Sequence, residues 1–95
     1  MKIVVNRCYG GFCVNPIAAK AAGLGDTEIH NPDMKVRTSP ALIDLIGRWG
    51  TDAVGGKFSA LEVIDLPDNL TDLEVSEYDG LESVIYVVNG KIHHA

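Results

Sequence analysis

No apolar run in this chain approaches the roughly 20 residues that a membrane-crossing helix needs, which excludes a helical membrane span. Cysteine is scarce: Cys8 and Cys13 are the only two, with no second pair to complete a four-cysteine zinc centre. Positive charge is scarce in the second half. Residues 58–95 carry one Lys against eight Asp/Glu, whereas residues 1–57 carry seven Lys/Arg against five. The formal net charge of −5 repels a nucleic-acid backbone, so no duplex partner is expected and any anion site belongs in the first 57 residues. The start, Met1 to Arg7, turns polar too soon for a secretory leader. A cytoplasmic location is therefore expected, with both cysteines as thiols. There is no internal repeat and no low-complexity segment.

What is present is ordinary globular material: 46% apolar and 22% charged residues over a length that allows one core. A domain this size buries only about 60–65% of its unfolded surface, which makes self-association a natural option. Ile3-Val4-Val5 reads as a buried strand, because β-branched residues suit a pleated surface. The loop Asn6 to Val14 is built around Gly10 and Gly11. Asn15 and Pro16 then open a short alanine-rich helix that Gly23 ends. Residues 24–36, with Gly25, Asp26, Asn31, Pro32 and Asp33, read as a long loop with an extended piece at Glu28-Ile29-His30. Ser39 and Pro40 start a second helix, whose Leu42, Ile43, Leu45, Ile46 and Trp49 form one apolar face up to Gly50.

The remainder is β. Strands are expected over Phe58–Leu66, Leu70–Tyr78 and Ser83–Val88, with Asp79-Gly80 and Asn89-Gly90 as turns and Lys91–His94 returning. The expected fold is a single α/β (α+β) domain over residues 1–95, in the order β-α-α-β-β-β-β. Its sheet is mixed or antiparallel, with two helices on one face. Trp49 and Phe58 are assigned to the core.

Met1 to Phe12, Arg37-Thr38-Ser39-Pro40-Ala41-Leu42-Ile43 and Glu77-Tyr78-Asp79-Gly80-Leu81-Glu82 together carry a resemblance. The chain resembles a family of small phage, prophage and bacterial proteins that open on a near-identical Met-Lys-Ile-Val-x-Asn-Arg-Cys-Tyr-Gly-Gly-Phe stretch. The resemblance implies a phage accessory context, with a host cytoplasm as the setting. It assigns no activity to any residue.

The residues offer several chemistries. A strand, a glycine loop and a capped helix place free N–H groups where an anion would bind. Arg7 would hold a phosphate, Tyr9 or Phe12 would stack on a base, and Gly10 and Gly11 would let the ligand approach the backbone. Lys35 to Ser39 repeats the theme at the next helix start, with Arg37 and Thr38 as its contacts. The plain alternative is a tight β-to-α turn with Phe12 in the core. His93 and His94 point to opposite faces of a strand, so they do not chelate together, and neither metal nor cofactor is expected. Glu62, Asp65, Asp68, Asp72, Glu74, Glu77, Asp79 and Glu82 are either a solubilising face or a decoy that occupies a basic groove on a partner.

These features lean away from an enzyme. The leading expectation is a protein that binds a small anionic ligand, a nucleotide above all, and sequesters a host-immunity signal. The alternative is an acidic inhibitor of a host defence or nucleic-acid-processing protein. A small nucleotide hydrolase ranks third.

Overall fold

In a computed structural model, which describes residues 1–30 and 32–95, two antiparallel sheets and four helices pack around two apolar clusters. The order is β1 (Lys2–Asn6), α1 (Pro16–Ala21), α2 (Met34–Arg37), α3 (Pro40–Trp49), α4 (Thr51–Val54), β2 (Leu61–Asp65), β3 (Asp72–Tyr78), β4 (Leu81–Val88) and β5 (Lys91–His94). The mixed α and β character, the single domain and the antiparallel pairing agree with the sequence reading.

Three details differ. The expected single sheet is two, β1-β2 and β3-β4-β5. Two one-turn helices, α2 and α4, join the two expected ones. Glu28-Ile29-His30 lies in consecutive turns rather than extended chain, with the Ile29 carbonyl accepting from Val14 N–H at 3.1 Å. Asn31 lies outside the described residues.

The caps explain the helix boundaries. Asn15, Asp33 and Ser39 each accept a hydrogen bond from the backbone N–H three residues on, satisfying a donor that the helix start leaves free. Pro16 and Pro40 occupy the first helical positions, where no N–H is needed. The two β-hairpins are set by Asp79-Gly80 and Asn89-Gly90, whose φ values of 50° and 88°, and 52° and 74°, are those of the tight turns matching strand twist.

Alternation along β1 creates three layers. Ile3 and Val5 point to one side with Ile64 and Leu66, against Leu73, Val75, Val84 and Tyr86 of the three-stranded sheet. Val4 points to the other side with Leu61 and Val63, against Phe12, Val36, Leu42, Leu45 and Val54 of the helical layer. The β1-β2 ladder is thus the shared middle layer, which is why β1 reads as continuously apolar rather than alternating.

The loops at the far end of β1 interlock by glycine. A Cβ on Gly10 would sit 1.9 Å from the Phe58 carbonyl oxygen, and one on Gly80 would sit 2.2 Å from the Gly11 nitrogen. Gly80→Ala is expected to cost roughly 2 kcal/mol or more, because it adds this collision to a left-handed backbone. Gly90→Ala has the same backbone strain but no atom within 4 Å, and should cost only about 1 kcal/mol. Urea unfolding of the two variants checks the difference; equal losses would mean that the turn does not seat on the glycine loop.

Candidate functional site

The end of β1, the C-terminus of α2 and the start of β4 meet at one ion pair. Arg37 donates to both carboxylate oxygens of Glu82, Nη1 to Oε1 at 2.8 Å and Nη2 to Oε2 at 2.6 Å. The two residues are 7% and 5% exposed, so the pair is desolvated and survives only because further hydrogen bonds satisfy it. Those bonds come from β1. Arg37 Nη1 also donates to the Val4 carbonyl at 3.0 Å, and Glu82 Oε1 accepts from Asn6 N–H at 2.7 Å.

Their placement follows from strand geometry. Met1 and Arg7 bond across to β2, so the odd-numbered residues of β1 face that partner and Val4 and Asn6 face its free edge. A parallel neighbour would supply one N–H to the Val4 carbonyl and one carbonyl to Asn6 N–H. The guanidinium and carboxylate supply the same donor and acceptor, so the ion pair stands in for one residue of a third strand. This closes a stretch of strand edge that would otherwise be open to pairing.

Asn6 completes the junction. Its side chain donates to Cys8 O and Gly80 O, both at 2.7 Å, and accepts from Ala60 N–H at 2.9 Å. The Phe12 ring lies under the Arg37 guanidinium, 5.1 Å from its centroid.

The seven residues expected to form an anion site are placed as follows. Gly10, Gly11, Phe12 and Arg37 do come together, and Arg7 joins them through its Nη1 donation to Glu82 O at 3.0 Å. Both arginines, expected to hold phosphate, meet oxygens of the same chain in this structure. Arg37 is taken by Glu82, and Arg7 by Glu82 O and by Glu62 at 3.6 Å. Phe12, 7% exposed, packs in the core instead of offering a ring to a base. Thr38 lies apart and donates its hydroxyl to Met34 O, at the mouth of a separate groove along α3. Tyr9 alone projects freely, at 65% exposure. The cavity beside the glycine loop, about 380 Å³, has His30, Glu77 and Glu82 in its wall and, among the described residues, no Lys or Arg that would attract an anion.

Sequence reasoning missed two residues. Phe58, assigned to the core, is 65% exposed because it precedes β2 in a loop whose backbone is pressed against Gly10. The Lys57 amine lies 5.4 Å from its ring centroid. Tyr78 is 74% exposed; it stands at an even position of β3, opposite in face to the buried-side Leu73 and Val75, an alternation that the sequence reading did not carry as far as Tyr78. Trp49, at the last turn of α3, is also half-exposed rather than core. Tyr9, Phe58 and Tyr78 belong to the three segments that the glycines lock together, so one end of the molecule carries three exposed rings.

Other candidates disperse. Cys8 and Cys13 are half-buried free thiols, and among the described residues no group of His, Cys, Asp and Glu is placed to hold a metal ion. His93 stacks on Tyr86 with centroids 5.2 Å apart, while His94 pairs with Ile85 on the opposite face. Of the eight carboxylates between residues 62 and 82, seven are exposed and Glu82 is buried. Among the described residues no helix is long and apolar enough to cross a membrane.

The molecule is thus a three-layer α+β domain with an aromatic, acid-flanked end. Compared with known proteins, it matches no family model, no curated sequence and no solved structure.

Arg37→Leu should destabilise the fold by about 3–5 kcal/mol, since it strands a buried carboxylate. Adding Glu82→Leu should recover a substantial part of that loss. A double-mutant cycle read by chemical denaturation checks both. Additive losses would mean that the two residues act independently.

Proposed function

We propose that this chain is a non-enzymatic binding module whose aromatic end docks onto another protein. The observation that carries the reading is the exposure of Tyr9, Phe58 and Tyr78, at 65%, 65% and 74%, on segments locked around one glycine junction. Large rings on rigid loops lose little entropy on binding and dominate protein interfaces. Exposed carboxylates of Glu62, Glu77 and Asp79 lie on or beside the same segments. The complementary surface is therefore apolar at its centre and basic at its rim. This is the acidic-inhibitor alternative of the sequence reading, given a location. The resemblance to phage-encoded proteins makes a host defence or nucleic-acid-processing protein the natural partner.

The nucleotide reading keeps one supporting feature: Tyr9 and the Lys57–Phe58 pair would offer stacking faces with a cation beside them. It has lost both arginines to carboxylates, and so ranks second.

The two readings separate experimentally. A partner recovered from host cells and purified should bind the wild type, and Tyr9→Ala, Phe58→Ala or Tyr78→Ala should weaken it at least about tenfold. Glu77→Lys with Asp79→Lys should slow association and reduce its salt dependence. Calorimetry and stopped-flow kinetics report these effects. Native mass spectrometry with linear and cyclic nucleotides tests the other reading. An intact nucleotide adduct lost in Tyr9→Ala and Phe58→Ala would overturn the protein-docking proposal in favour of it.

A further inference from the structure

A second cavity lies away from the aromatic end. A groove of about 610 Å³ runs between the start of β1 and the outward side of α3, lined by Met1, Pro40, Ile43, Asp44, Gly47 and Arg48 among others. Met1 and Arg7 bracket β1, so this groove and the glycine junction lie at opposite ends of that strand, roughly 15 Å or more apart at the rise of an extended chain.

Two features of α3 say what the groove takes. The first is Gly47. It lies inside the helix, where glycine is disfavoured relative to alanine, yet its backbone is not left-handed and a Cβ there would meet nothing within 4 Å. The chain's own packing therefore does not require glycine at this position. The absence of a Cβ leaves room for a second helix to cross close to the α3 axis. The second feature is charge. Asp44 and Arg48 stand one turn apart on this outward side, 3.1 Å from each other and 65–66% exposed, so their intrachain pairing contributes little. An acid and a base one turn apart are self-complementary under a two-fold axis: Asp44 of one copy meets Arg48 of the other, twice. Lys2 adds a further cation to the groove, but a partner of one charge sign would still leave either Asp44 or Arg48 unmatched.

We propose that the α3 groove is a self-association surface, in which α3 of a second copy packs antiparallel across Gly47 and exchanges the Asp44–Arg48 pairs. The dimer turns the two aromatic ends away from the contact, so that one assembly presents two copies of the docking end. This inference does not rest on what those ends bind.

The test is the mass of the purified full chain by sedimentation velocity and native mass spectrometry across a wide concentration range. Far-UV circular dichroism and melting temperature monitor folding. The wild type should reach twice the 10.2 kDa chain mass. At dilutions where both are monomers, Gly47→Leu should melt no lower than wild type, because leucine favours the helix and its Cβ meets open space, and it should remain a monomer where the wild type dimerises. Asp44→Arg should weaken the dimer at least tenfold by opposing like charges, and Asp44→Arg with Arg48→Asp should restore it. A wild type that stays monomeric at every concentration overturns the proposal. So does a dimer indifferent to Gly47→Leu, or a double reversal that fails to rescue.

Discussion

The buried Arg37–Glu82 pair is the contact on which the rest of this molecule leans. It joins α2 to β4 across residues 45 apart in sequence, and does so on the open edge of β1. A two-stranded sheet in the middle of a domain has an edge problem: its outer N–H and C=O groups need partners, and among the described residues no third strand runs beside Val4 and Asn6. The guanidinium and carboxylate together provide one donor and one acceptor at strand spacing. Their own charges are neutralised by each other, and the flat face of the guanidinium is covered by Phe12. Desolvating two ions is costly, and this arrangement offsets the cost with hydrogen bonds that the strand edge had to make in any case.

The junction draws its parts from three segments that lie far apart in sequence. Asn6, Gly10, Gly11 and Phe12 come from the first, Arg37 from the second, and Gly80 and Glu82 from the third. They touch one another. A glycine loop followed by a capped helix suggests a cradle for an anion, but here the glycines allow backbone to press on backbone. The arginines face carboxylates of the same chain rather than a ligand. These residues read most directly as the lock that holds the layers, and the groups that the lock displays to a partner are Tyr9, Phe58 and Tyr78.

The site was legible in part, for identifiable reasons. Tyr9 and the glycine loop stand out in the sequence because their chemistry is local. Tyr78 was readable from strand alternation, once Leu73 and Val75 are recognised as the buried side. Phe58 was not readable. An apolar ring before a β-branched strand is more often core, and only the press of its backbone against Gly10, far away in sequence, turns it outward. The partner of Arg37 was not readable for the same reason: a basic residue before a helix start looks free until the carboxylate it pairs with arrives from β4.

The sequence by itself determined the elements and their ends. Asn15, Ser39, Pro16 and Pro40 set the main helix starts, Asp79-Gly80 and Asn89-Gly90 set two hairpins with their registers, and the continuous apolar run in β1 required burial on both faces. These are short-range effects of dihedral preference, capping and side-chain period, and they need no distant partner. The tertiary structure alone decided that the strands split into two sheets, that α2 forms beside β1, that Arg37 meets Glu82, and which aromatics face outward. Each of those depends on contacts between segments tens of residues apart, where a side chain's fate is set by what the fold brings to it and not by its neighbours along the chain.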